Sequence, residues 1–148
     1  MPTTISIDAS VAIKTLVEEV GSEQARAVVA AHDMIIASAH AYAEISEILY
    51  RKTVSGVLER LQAQEALKQL PIVFTLAPLD TIMAEAFDIA CDLRHSIYDC
   101  LYVATAIKFA TQLVTADLRL LRKTVGTKYS GIVIGLESFS SSACKTAS

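Results

Sequence analysis

Short apolar runs rich in β-branched residues recur along this chain, each separated from the next by a longer stretch whose apolar positions fall at helical spacing. Ile5-Ser6-Ile7, Met34-Ile35-Ile36-Ala37, Ile72-Val73-Phe74, Leu113-Val114-Thr115 and Ile132-Val133-Ile134 are too short for helices. They are also too continuously apolar for strands that show one face to water. Such runs belong in a parallel sheet covered on both sides. The predicted class is therefore α/β, three layers in the order α/β/α.

The intervening stretches supply the crossovers that parallel strands need. After Asp8, Ser10 opens a stretch with Val11, Ala12, Leu16 and Val17 at helical spacing. Gly21-Ser22 interrupts it, and Ser22 is placed to cap a second helix through Val29. A helix over Ala39 to Lys52 carries Glu44, and Gly56 marks the break before the next helix. Pro71 is expected to end that helix just ahead of the strand at Ile72. Asp80 is expected to cap a helix reaching Arg94, followed by helices over Ser96–Ala110 and Asp117–Lys123. No repeat and no second domain stands out. Residues 1–139 read as one domain, and the small, polar Ser140 to Ser148 as a disordered tail.

Several function classes drop out. Asp99, Lys108 and Asp117 interrupt the richest apolar stretch before it nears the roughly 18 residues of a membrane span. The first residues lack the basic region and long apolar core of a secretory signal, so no membrane association and a cytoplasmic location are expected. Cys91, Cys100 and Cys144 are an odd number with no zinc-ligand spacing and read as reduced thiols. The net charge of −3 argues against an extensive basic nucleic-acid surface, though not against a local one.

What remains is acidic. In open α/β sheets, sites form outside the carboxyl ends of the strands. Asp8 directly follows the first strand, and Asp117 lies just beyond Thr115 at the end of a later one. Asp99 starts a helix whose rise, about 12 residues at ~1.5 Å, matches about five strand residues at ~3.3 Å. That return brings Asp99 back beside Asp117. Glu44, early in the helix after the second strand, can reach the same rim. Four converging carboxylates raise one another's pKa unless a cation relieves the repulsion. Oxygen donors without His or Cys partners suit Mg²⁺ or Mn²⁺, and such ions serve phosphodiester hydrolysis.

The segments Ile7-Asp8-Ala9-Ser10, Glu44-Ile45-Ser46-Glu47-Ile48-Leu49, Tyr98-Asp99-Cys100-Leu101-Tyr102-Val103-Ala104 and Leu113-Val114-Thr115-Ala116-Asp117 resemble, in order, the signature segments of the PIN domain family. Ser10-Val11-Ala12-Ile13-Lys14 and Val17-Glu18-Glu19 are further similar to VapC toxins, and the resemblance spans Ile5 to Leu136. It implies a parallel five-stranded sheet, Mg²⁺- or Mn²⁺-dependent endoribonuclease activity leaving a 5′ phosphate and a 3′ hydroxyl, and control by a VapB-like antitoxin. By the same resemblance Asp8 and Asp99 are principal metal ligands, Glu44 and Asp117 complete the catalytic site, and Ser10 and Thr115 orient them. One departure is Ala37-Ser38, where many relatives carry a proline.

Each residue also has a plainer reading. Asp8 and Asp117 can simply cap helices, Glu44 can belong with Glu47 to a solvated acidic face, and Ser10 and Thr115 can be ordinary turn residues. Asp99, set among Tyr98, Cys100 and Leu101, is hardest to dismiss, because an unpaired carboxylate there would be costly. Lys14 reads as solvated, and Arg119, Arg122 and Lys123 either form a modest RNA-binding rim near Asp117 or merely face water. His32, His40 and His95 have no metal-pair spacing and read as surface or core residues. Competing functions are an inactive PIN-like module that binds RNA or protein, a nuclease of this fold that is no toxin, and a phosphatase using Asp8 as nucleophile. The lack of an aspartate at Ala9 or Ser10 disfavours the last. Ile45, Ile48, Leu49, Val57, Leu58 and Leu61 exceed what one core face needs, so a homodimer through these helices is expected.

Overall fold

The computed structural model describes residues 2–139; the expected tail lies outside the described residues. Strands β1 (Thr4–Ile7), β2 (Met34–Ser38), β3 (Thr75–Ala77), β4 (Leu113–Thr115) and β5 (Val133–Gly135) form one sheet in the order β3-β2-β1-β4-β5. Every neighbouring pair is parallel, as predicted. The continuous apolar runs explain this, since Ile7, Ile36, Leu113 and Val114 are fully buried between helical layers. Each contributes roughly 1.5–3 kcal/mol by leaving water.

Seven helices complete the layers: α1 (Ala9–Leu16), α2 (Ser22–Ala30), α3 (Ala41–Val54), α4 (Arg60–Val73), α5 (Met83–Leu93), α6 (Ile97–Lys108) and α7 (Leu118–Thr124). From β1 the chain steps outward to β2 and β3, then crosses back to β4 and β5 on the other side. Right-handed crossovers place α1–α4 over one face and α5–α7 over the other. Close helix contacts follow that division, α1 with α2 and α3, α3 with α4, and α5 with α6. Among the described residues no helix is long and apolar enough to cross a membrane.

The third strand lies later than the sequence predicts. Helix α4 runs through Pro71 to Val73, and Phe74 N closes its last turn on Leu70 O at 3.0 Å. Leu70 and Phe74 are buried four residues apart while Ile72 is 77% exposed, which is a helical pattern. Pro71 forfeits one amide bond near the helix end, and the burial of Leu70 and Phe74 outweighs it. Asp80 caps nothing, because it sits in a 3₁₀ turn over Leu79–Thr81 and α5 begins after Ile82.

The loop after α1 also differs. Gly21 (φ +91°) occupies the position before α2, and Ser22 is the first helical residue. Ser22 Oγ instead accepts from Glu19 N and donates to Val17 O. Lys14 is tied down rather than solvated, donating to Glu19 Oε1 at 3.1 Å and Val20 O at 2.7 Å. Lys52 from α3 meets the same Glu19 at 2.8 Å. Burial pushes the Glu19 carboxyl up, but the two lysines outweigh it and hold it below the usual range. Ile45 and Leu49 belong to the core and Ile48 and Leu58 are half-buried, so of the expected surface surplus Val57 and Leu61 are the exposed members.

Candidate active site

The order of the sheet reverses between β1 and β4, and in open α/β sheets ligands bind at the carboxyl ends of the strands beside such a reversal. Ile7 pairs with Val114, so Asp8 and Thr115 emerge side by side from adjacent strands. Asp8 accepts hydrogen bonds on Oδ1 from Ser10 Oγ and from Val11 N (3.2 Å), and on Oδ2 from Thr115 Oγ1. The two hydroxyls continue the network. Ser10 Oγ accepts from Ala116 N at 2.9 Å, and Thr115 Oγ1 from Asp117 N at 3.0 Å. Ser10 and Thr115 thus clamp the turn after β4 onto Asp8.

Asp8 and Asp117 are also helix caps, as their plainer reading holds. Asp8 caps α1 through Val11 N, and Asp117 Oδ1 caps α7 by accepting from Arg119 N at 2.9 Å. Capping fixes each carboxylate at the rim, so the structural and chemical readings of these two residues are compatible.

Asp99 lies in the first turn of α6, which Ser96 caps. Its Oδ2 meets His95 Nε2 at 2.7 Å. Glu44, in the first turn of α3, accepts from Tyr102 OH on Oε2 at 2.8 Å. His40 Nε2 stands 3.4 Å from Glu44 Oε1, within ion-pair range but outside hydrogen-bond geometry. The other ring nitrogen of His40 pairs with Ser38 Oγ at 2.6 Å, and its ring packs against Tyr102 with centroids 4.4 Å apart. Ser38, which ends β2, therefore anchors the histidine that faces Glu44.

Three partners of these carboxylates were not legible as such in the sequence. His40 and His95 each precede a site carboxylate by four positions, and Tyr102 reaches Glu44 from 58 residues away. The His-x-x-x-acid spacing, repeated at Glu44 and Asp99, was the available signal. His40 and His95, read from the sequence as surface or core residues, are largely buried, and each ring meets the carboxylate four positions on.

Electrostatics links the four acids. Burial pushes the Asp8 carboxyl up to about 6 against the pull of its three hydrogen bonds, and the charge of Asp99 adds to the rise. Asp99 is likewise raised, first by burial and further by Asp117 and Glu44, with His95 opposing. Burial also raises Glu44, but His40 and Tyr102 outweigh it and hold the group below the usual range. Asp99 thus feels Asp117 and Glu44, and Asp8 feels Asp99.

Among the described residues, no three His, Cys, Asp or Glu side chains stand close enough as placed to hold an ion. The donor chemistry nevertheless fits a hard divalent cation. The acids offer only oxygen, and a cation between them would relieve the repulsion that raises Asp8 and Asp99.

Fold and site together define a three-layer α/β protein with an acidic centre at the switch point of a parallel sheet. A model of the PIN domain family matches residues 5–125, a span that includes all four carboxylates. Ribonuclease VapC3 of Pyrobaculum aerophilum is 31% identical over 121 residues, 79% of this chain and 92% of that protein. The chain belongs to the PIN domain family. Among solved structures it is similar to PAE2754 from Pyrobaculum aerophilum, with a TM-score of 0.69 and 19% identity over 97% of this chain and 90% of that one. It is also similar to VapBC2 from Rickettsia felis bound to a DNA fragment from their promoter, with a TM-score of 0.61 and 12% identity over 89% of this chain and 98% of that one. At these identities the likeness is one of fold.

Proposed function

We propose that this chain is an Mg²⁺- or Mn²⁺-dependent endoribonuclease, the toxin of a VapBC-type toxin–antitoxin pair. The observation that carries the reading is the electrostatic coupling of Asp99 to Asp8, Glu44 and Asp117 at the switch point of the sheet. Kinship with a protein named ribonuclease VapC3 supports the substrate class. Asp8 and Asp99 would hold the metal, with Glu44 and Asp117 completing its surroundings. When bound, the cation supplies Lewis acidity that activates water and neutralises charge on the phosphate.

The chain's own residues do the positioning. Ser10 and Thr115 fix both oxygens of Asp8, so its carboxylate offers one geometry to a ligand rather than a range. Tyr102, well buried, can only donate its proton to Glu44 and thereby keeps that group ionised. His95 Nε2 meets Asp99 Oδ2 at 2.7 Å and fixes the direction of that carboxylate. A VapB-like antitoxin would silence the site by filling it with a basic side chain. We further propose a homodimer through exposed apolar residues of α3, α4 and the turn between them, including Val54, Val57 and Leu61; a monomer in light scattering at micromolar concentration contradicts it.

The absence of three ligands already gathered among the described residues favours a second reading, a PIN-fold module that binds RNA or protein without cutting it. Incubation of the full chain with end-blocked single-stranded RNA separates the two. The nuclease reading predicts internal cleavage that needs Mg²⁺ or Mn²⁺, stops with EDTA and is lost in Asp8→Ala and Asp99→Ala. Intact RNA at every metal concentration, or equal cleavage in both variants, refutes it.

A further inference from the structure

Of the 13 lysines and arginines, Lys145 lies outside the described residues and six form ion pairs with acids. Among the described residues the others are Arg60, Arg94, Lys108, Arg119, Arg122 and Lys123. Four of these six stand around one place. Arg94, Arg119 and Lys123 line an open cleft of about 780 Å³ together with His95, Ser96 and Asp99. A smaller cleft of about 330 Å³ shares His95, Arg119 and Lys123 and adds Arg122. In a chain of net charge −3, that is a concentrated positive surface against the acidic site.

The folded chain gains little from this arrangement. Arg119, Arg122 and Lys123 fall three and four positions apart on α7, a spacing at which like charges repel. Arg94 ends α5 in the left-handed region (φ +50°), where glycine is favoured. Both features cost stability, and a polyanion in the cleft relieves the first. Guanidinium forks suit phosphate oxygens, and the cleft opens on Asp99 itself, so its occupant lies beside the reacting centre.

We propose that this cleft, built by Arg94, Arg119, Arg122 and Lys123, is the subsite for the phosphate backbone of single-stranded RNA next to the scissile bond. It rests on the nuclease reading for the identity of the strand. The α7 residues, which the sequence leaves open between a rim for RNA and water-facing charges, gain this role because Arg94 at the end of α5 joins them.

The test is fluorescence anisotropy of a labelled single-stranded RNA oligonucleotide across a KCl series, with Mg²⁺ present and Asp8→Asn in every protein to prevent cutting. Each lost phosphate contact lowers the slope of log affinity against log salt by roughly 0.7. Arg119→Gln with Lys123→Gln is expected to lower it by roughly 1.4 and to weaken binding about tenfold. Arg60→Gln with Lys108→Gln removes the same charge elsewhere and is expected to leave the slope unchanged. Equal slopes in the cleft pair and its parent, or equal losses in both pairs, overturn the proposal. So does a labelled hexaglutamate peptide whose binding the cleft pair abolishes while the RNA slope stays put, because the cleft then serves an acidic protein segment. Cleavage by the unmodified chain is scored separately: cleavage with unchanged slopes removes only the subsite, and a lowered slope without cleavage removes only the nuclease.

Discussion

Replacing Asp8 by asparagine is expected to stabilise the metal-free protein at neutral pH. Asp8 is buried, and its carboxyl titrates at about 6 in the fold against 3.8 when free. A folded-state pKa above the unfolded one means that folding penalises the ionised form. The penalty is absent below 3.8, grows as pH rises from 3.8 to about 6, and is complete above that. Over that interval of about two pH units, each worth roughly 1.36 kcal/mol, the penalty reaches roughly 3 kcal/mol. Asparagine removes the charge but turns one accepting oxygen into a donor, so the Ser10 and Thr115 hydroxyls must reorient at a cost of about 1 kcal/mol. The net gain is about 1–2 kcal/mol, or roughly 2–8 °C in Tm for a chain of this length. Urea and thermal unfolding in EDTA at pH 7.5 and pH 4 measure it. The gain is expected at pH 7.5 and not at pH 4. An Asp8→Asn protein less stable than its parent at pH 7.5, or a gain that persists at pH 4, refutes the reasoning.

Tyr102→Phe removes the donor to Glu44 Oε2 and is expected to cost about 1–2 kcal/mol and to raise the Glu44 titration followed by carboxyl NMR. Thr115→Val keeps the shape of a buried side chain but strips Asp8 Oδ2 and Asp117 N of their partner, so urea unfolding at pH 7.5 should show a loss of about 2–4 kcal/mol. Arg94→Gly relaxes a left-handed residue and should raise stability by about 0.5–1 kcal/mol while weakening RNA binding in the anisotropy assay.

The parallel sheet was legible because its strands are buried on both faces and so carry unbroken apolar runs. The common rim of Asp8 and Thr115 followed, since strand ends of one direction lie at one edge of the sheet. Where two signals competed, the local one misled. Ile72-Val73-Phe74 has the composition of a strand, yet Leu70 and Phe74 must face the core together, which only a helix through Pro71 achieves. The pairing of His40 with Glu44 and of His95 with Asp99 was not legible for another reason: a spacing of four says that a histidine and an acid can meet, not that they do. Arg94 could join Arg119 and Lys123 only once α5 and α7 were placed on the same face of the sheet.

The central claim is that Asp8, Glu44, Asp99 and Asp117 act as one metal site although no three of them stand ready as ligands among the described residues. Calorimetric titration of the full chain with Mn²⁺ at pH 7.5, in the unmodified protein and in Asp99→Asn, tests it most directly. Saturable binding that Asp99→Asn weakens at least tenfold is the predicted result. No heat in either protein, or binding that Asp99→Asn leaves untouched, contradicts it.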